Sequence, residues 1–393
     1  MDEASFLRRK LSIWEDQTWG GTYDLAIVGG GLVGLQTALY YTDRRPKARV
    51  VIVERDDPPA GASTRNAGFA CVGSLGELAE DIDAIGFEAT MKLVARRLRG
   101  LELLEARVGA RPLKLDRLGN IEWFRSNESA RFKGACKDLP KVNAALRMRL
   151  QLSQNPFVLV PDFQRQTSLP GAGAILNRLE GQLDPGAMVA TLQQQAAARG
   201  VRSKRARVVG YEGSSGEFVV LLDQAEPITA RGLVLATNAF TSSLTPANTT
   251  TSIRPALNQV IVTEPVPGLR WTLPMHLDRG YGYVRRIGDR ILVGGFRHRA
   301  GFKAQTDKFG LDADLGEHLR AVMQELLPPH QSQKIRVPRI DYEWSGVLGL
   351  GPTRNPQVMR TTEGAIIAAG LGGMGVALGS ALAHDAVSLL LDQ

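Results

Sequence analysis

Residues 24–28, DLAIV, carry a short apolar run after Asp24, the pattern of a strand buried on both faces of a parallel sheet. Leu32, Leu35 and Leu39 recur at helical spacing, and Val50 to Val53 form a second apolar run ending on Glu54. Strand, helix and strand within about thirty residues make a βαβ unit. Ahead of it, residues 1–22 read as a short amphipathic helix, with Phe6, Leu7, Leu11 and Trp14 on the side that packs outside the sheet. Beyond it, 76–108 carry helical spacing in two stretches. Residues 111–125 alternate like strands around Leu118-Gly119-Asn120, 126–155 turn helical and basic, and short strands follow over 157–183.

Asp184-Pro185-Gly186 opens a helix predicted over 187–199, since Asp184 can cap and Pro185 sits where the first turn has no N–H partner. Residues 205–211 and 216–223 alternate as a hairpin, and Leu233 to Asn238 reads as another buried strand. The character changes over 251–337. A strand over 258–264, a hairpin pairing 280–286 with 290–296 across Gly288-Asp289, and a helix over 312–327 stopped by Pro328-Pro329 make an antiparallel sheet with a helical layer. This is a second domain. Short strands return over 340–370, and Gly372-Gly373-Met374-Gly375 opens a last helix over 375–391.

The chemistry begins at Gly29-Gly30-Gly31-Leu32-Val33-Gly34, a GxGxxG directly after the first strand. Gly29 allows the tight turn, Gly31 lets a pyrophosphate approach the backbone, and Gly34 lets helix and strand pack closely. The helix start offers unpaired amides and a positive dipole end to phosphates. Glu54 is placed to accept ribose hydroxyls, and an acid there disfavours a 2′-phosphate, so NADP is disfavoured while FAD and NAD stay open. The small polar segment 61–71, GASTRNAGFAC, reads as backbone wrapping a ligand.

Composition narrows the classes. No run approaches the roughly eighteen apolar residues of a transmembrane helix, and the N-terminus lacks the apolar core of a secretory signal, so a cytoplasmic location is expected. Cys71 and Cys136 are too few for a disulfide framework, and the five histidines form no HxH or HxxxH pair, which argues against a metal site. The net charge of +8 suits an acidic substrate or a nucleic acid. The basic residues are spread along the chain without interleaved aromatics, which argues against nucleic acid.

The chain resembles the FAD-dependent D-amino-acid oxidase superfamily over nearly its whole length. The carriers are VGGGLVGLQTA with Glu54, GASTRNAGF at 61–69, GQLDPGAMV at 181–189, LVLATNAF at 233–240, RRIGDRILVGG at 285–295 and AAGLGGMGVALG at 368–379. Closest in style are the sarcosine oxidase, glycine oxidase and gamma-glutamylputrescine oxidase branches. The resemblance implies an α/β fold: a discontinuous Rossmann-type FAD-binding domain of 1–90, 165–250 and 338–393. An inserted α+β antiparallel-sheet substrate domain of 91–164 and 251–337 completes it. It selects FAD over NAD.

By the resemblance, Gly29, Gly31 and Gly34, with Leu32 and Val33, face the pyrophosphate. Glu54 and Arg55 lie at the adenosine ribose. Ser63, Thr64, Arg65, Asn66, Ala67 and Gly68 run along the ribityl chain and ring edge. Val208 lies near the adenine, Thr237 and Asn238 end a cofactor-lining strand, and Gly346 lies in the segment before the last strand pair. Gly372, Gly373, Met374, Gly375 and Val376 present the last helix start to the flavin, where backbone donors stabilise the charge of reduction. Segment 344–351 has no cysteine or histidine, which implies non-covalent FAD. Leu348 stands where the glycine oxidase branch has its carboxylate-binding arginine, so a plain α-amino acid is not the expected substrate.

The implied reaction is hydride transfer from the carbon beside a small primary or secondary amine, giving an imine that hydrolyses, with oxygen or a quinone as electron acceptor. Candidate catalytic residues are Arg65, Tyr283, Arg297 and His298, with Arg285 beside them. If one strand spans 291–297, Arg297 and His298 point to opposite faces. Two other readings stand beside this one: a tRNA-modifying oxidoreductase of the same superfamily, and a non-catalytic FAD-binding subunit of a dehydrogenase complex.

Overall fold

The computed structural model describes residues 12–245, 252–301, 305–328 and 337–392. The apolar runs predicted as buried strands form the centre of the first sheet. Tyr23–Val28 lies between Val50–Glu54 and Ala225–Leu235, parallel to both. Ile366–Ala369 extends the sheet on one side and Arg202–Arg205 on the other, again in parallel. The antiparallel Gln357–Arg360 and the hairpin Val208–Ser214/Glu217–Leu222 complete its eight strands. The helices Leu32–Arg44, Phe87–Val108 and Gly375–Leu391 cover one face and share a single apolar core with the strands. They cross closely: a Cβ on Gly100 would lie 1.9 Å from the Ala377 carbonyl oxygen.

The second sheet runs Ile340–Leu350, Arg254–Thr263, Arg290–Gly295, Gly282–Ile287, Met275–Leu277, Asn120–Phe124, Gly173–Asn177, Phe157–Leu159. The helix Ala313–Glu325, capped by Asp312, packs behind it over a separate core. Two strands differ from the expected boundaries. Gly173–Asn177 pairs with Asn120–Phe124, and Ile340–Leu350 pairs along its whole length with Arg254–Thr263. Both therefore belong to the second sheet, because their hydrogen-bond partners are there.

Other elements correct the pattern reading. Within 111–125 only Asn120–Phe124 is a strand. Ala110–Leu113 is a helical turn, with Pro112 where no amide partner is needed and Lys114 left-handed at its end. Segment 61–71 holds one helical turn, Ala62–Arg65, and the short strand Phe69–Ala70. Of the N-terminal helix, Ile13–Trp19 is described, and Phe6, Leu7 and Leu11 lie outside the described residues. Trp14 is 73% exposed rather than packed. Pro329 also lies outside the described residues. Among the described residues no helix is long and apolar enough to cross a membrane.

Candidate functional site

One cavity of about 1090 Å³ runs between the two sheets, from the first glycine turn to the hairpin 282–295. At its first end the turn works as its sequence requires. Gly29 has φ +108, and a Cβ there would sit 2.7 Å from the Ala236 carbonyl oxygen. Gly31, Leu32 and Val33 line the cavity at the start of the Leu32–Arg44 helix. Gly34 does not, because it backs onto Gly29, where a Cβ would meet the carbonyl oxygen at 1.9 Å. The Glu54 carboxylate lines the cavity and accepts from the Gly30 amide at 2.7 Å and the Asp56 amide at 3.1 Å. These two bonds fix its orientation and leave lone pairs for hydroxyl donors.

Ser63, Arg65, Asn66 and Ala67 line the middle of the cavity. Thr64 and Gly68 do not: the Thr64 hydroxyl donates to Pro59 O at 2.7 Å, and Gly68 packs under Arg285 and Leu183. Arg65 docks one Nη on Ser345 O at 3.0 Å and stands 5.0 Å from the Phe309 ring. Arg55, Val208, Thr237 and Gly346 also line it. Asn238, left-handed at φ 48, lines it too, and accepts through Oδ1 from the Gly370 and Leu371 amides, tying two strand ends together.

Gly372 to Val376 all border the cavity. Gly372 has φ +57, and neither Gly372 nor Gly373 has an atom within 4 Å of where a Cβ would lie. The Gly375–Leu391 helix has no side-chain cap, so its first amides remain as free donors. Two helix starts thus border one cavity. The residues fit FAD: a space larger than an ordinary small-molecule pocket, glycines where backbone must come close, and an acid fixed at the strand end.

The substrate-side candidates separate. Tyr283 and Arg297 line the cavity, and His298 does not. The expected strand over 291–297 stops at Gly295, because Phe296 is left-handed at φ 58 and Arg297–Ala300 is a helical turn. His298 Nε2 pairs with Asp278 at 2.8 Å, and its ring packs on Tyr281. Arg285 turns away as well: its Nη1 donates to Ala67 O, Gly68 O and Leu183 O, each at 2.9 Å. The Tyr283 hydroxyl accepts from Asn258 Nδ2 at 3.2 Å, and burial pushes it well above the usual tyrosine range, so it keeps its proton.

Several residues at this end carried no pattern in the sequence. Glu77, Glu80, Arg97, Arg279 and Arg354 line the cavity as a ring of ion pairs. Beneath it Glu180 is fully buried and accepts from the Val72 and Gly73 amides at 2.7 Å, and from Asn120 Nδ2 and His276 Nε2 at 3.0 Å. Burial alone would raise its pKa, but His276 and the amides outweigh that and hold it below the usual range. Burial alone would lower His276, but Glu180, Glu77 and Glu122 hold it above its usual value. Ligand atoms of Cys71, Glu180 and His276 lie within 4.8 Å of one another, a grouping that sequence spacing did not show. The four hydrogen bonds on Glu180 already occupy its oxygens.

The FAD dependent oxidoreductase family model matches residues 24–389. No curated protein sequence matches the chain significantly. Among solved structures, the chain is similar to glycine oxidase from Geobacillus kaustophilus, at 19% identity and a TM-score of 0.74, covering 94% of each chain. It is similar to iminodiacetate oxidase from Chelativorans sp. BNC1, at 18% identity and TM-score 0.73, covering 94% of this chain and 95% of that one. It is similar to L-proline dehydrogenase from P.horikoshii, at 17% identity and TM-score 0.72, covering 94% and 93%. With a match over nearly its entire length, the chain belongs to the FAD dependent oxidoreductase family.

Proposed function

We propose that the protein oxidises a C–N bond of a small primary or secondary amine or amino-acid derivative. The observation that carries this reading is the single cavity that joins two helix starts to Tyr283 and Arg297. FAD is held without a covalent bond, its ADP half between the Gly29–Gly34 turn, Glu54 and Val208, its ring end against Gly372 to Val376. When bound, FAD supplies a two-electron acceptor that takes hydride from the carbon beside the nitrogen, and the imine released hydrolyses. The chain's part is to hold and orient. The uncapped amides of Gly375 and Val376 favour negative charge at that end of the cavity. Tyr283 presents a protonated hydroxyl. Cys71, buried and pushed well above the usual thiol range, stays neutral with Sγ 3.4 Å from Met374 Sδ. The substrate domain in this reading comprises the strands of the second sheet, including 173–177 and 340–350.

An anaerobic screen of amines tests the proposal. A substrate should bleach the flavin absorbance of the purified protein, and readmitted air or an added quinone analogue should restore it. A protein that binds no FAD, or holds FAD that no amine bleaches, overturns the reading.

A further inference from the structure

Three carboxylates stand in or beside the wall at the Tyr283 end of the cavity, and two of them have a cation of their own. Glu180 pairs with His276 at 3.0 Å, and Glu77 lies 3.7 Å from Arg97. The third, Glu122, is 3% exposed, and Arg131 Nη2 lies 3.9 Å from it while Arg131 Nη1 is already paired with Glu128. Glu122 Oε2 accepts from the Gly76 amide at 2.8 Å, whereas Oε1 is buried without a hydrogen-bond partner among the described residues. A buried carboxylate oxygen left without a partner is costly, and a proton on it removes the charge.

The fold sets this carboxyl in a row that begins in the cavity. Tyr283 and His276 are register partners on adjacent strands, and His276 and Glu122 are register partners on the next pair. Register partners share a face of the sheet and neighbouring strands lie about 4.8 Å apart, so the three side chains stand side by side. Tyr283 and His276 line the cavity. Glu180 takes His276 Nε2, and no described residue is hydrogen-bonded to Nδ1. On the outer side, Arg131 of the helix Ser129–Leu150 is 31% exposed. The helix Leu75–Ile85 makes room for the carboxyl, since a Cβ on Gly76 would lie 2.2 Å from Glu122 Oε1. Burial raises the Glu122 pKa and Glu77 adds to that, while the Gly76 amide, Arg131 and His276 pull it down, which leaves it pushed up to about 7. The strand on its other side offers only the apolar Ile175 as register partner.

We propose that Glu122 is the proton store of a path from His276 in the cavity wall to Arg131 at the surface, and that it carries away the proton an amine substrate must lose. This rests on the amine-oxidising reading above. An alkylammonium has no lone pair to support loss of hydride from the neighbouring carbon, so one N–H bond breaks first. His276 gives the proton on Nδ1 to Glu122 Oε1, the ammonium restores it, and Glu122 releases its proton to water past Arg131. One proton leaves the cavity, and each residue ends as it began. Glu122 does not line the cavity, so it acts through His276, with a proton affinity suited to exchange near neutral pH.

Infrared pH titration of the holoprotein reads this proton directly. Wild type should show the carbonyl stretch of a buried protonated carboxyl that fades as pH rises through about 7, and Glu122→Gln should lack it. Arg131→Gln, which removes a charge that holds the pKa down, should move the midpoint up. Anaerobic bleaching by a saturating amine should speed up as pH rises through the same range. In Glu122→Gln it should lose that step and run about tenfold or more slower above it, with FAD affinity unchanged. A part confined to accepting from Gly76 would leave the pH profile of the folded variant as in wild type. That result overturns the proposal, as does a wild type without the band or a folded Glu122→Gln that keeps it. Melting temperature and FAD content show whether the variants are folded, and the midpoint of Arg131→Gln decides if Glu122→Gln is not. If the band titrates and depends on Glu122 while no amine bleaches the flavin, the proton store stands and the oxidation reading is what fails.

Discussion

A Cβ added at Gly34 has no room, since the Gly29 carbonyl oxygen would lie 1.9 Å away. Gly34→Ala must push helix and strand apart, at about 1–3 kcal/mol, and should lower both the melting temperature and FAD affinity, read by flavin fluorescence titration. Glu54→Ala acts differently. It removes the acceptor without steric conflict and should weaken FAD binding by about tenfold or more with little effect on the apoprotein fold. The Glu180–His276 pair gives a pH prediction. Glu180's folded pKa is lowered from 4.5, so its contribution is complete above pH 4.5 and is lost as pH falls through the folded value. His276's is raised from 6.5, so its contribution is complete below pH 6.5 and is lost as pH rises through the folded value. The stability difference between wild type and Glu180→Gln, from chemical denaturation, should therefore be greatest between about pH 4.5 and 6.5 and shrink on both sides. The glycine positions were legible in the sequence because a tight turn after a buried strand demands them. Glu180 and His276 were not: 96 residues separate them, and only the fold brings them together.

Elements were legible where one local rule governs them. Asp184 and Asp312 cap their helices as their sequences require, accepting from Ala187 N and Leu315 N. Where a long-range partner decides, pattern misled. Residues 111–125 alternate like a hairpin, yet only the second half finds a strand to pair with. The strand over 291–297 was cut short by a backbone turn that no periodicity announces. The helix Ser129–Leu150 tolerates Pro140 in its interior because buried Val142, Asn143 and Leu146 hold it down. Proline there removes one helical hydrogen bond, so Pro140→Ala should raise the melting temperature, by an amount corresponding to about 1–3 kcal/mol.

For the whole molecule, the seam between the sheets matters most. One nitrogen of Arg285, on the second sheet, serves three carbonyls of segments 67–68 and 183 beside the cofactor loop. Arg285→Met should strand those acceptors, cost about 2–5 kcal/mol, and speed loss of FAD on dilution, which gel filtration with absorbance detection would follow. The glycine turn, the small-residue loop and the last helix start are each visible in the sequence, so the stretch of cavity that they line was largely readable from it. The other end was not, since its ring of ion pairs draws on residues 77–97, 279 and 354. The strand order carries a last consequence, for synthesis. Strand 225–235 waits for 366–369, and strand 254–263 waits for 340–350. While the ribosome is still making the last third of the chain, both sheets present bare edges that invite pairing with other chains. A nascent chain arrested before residue 366 should therefore bind chaperones or aggregate, and only release of the C-terminal helix lets both sheets close.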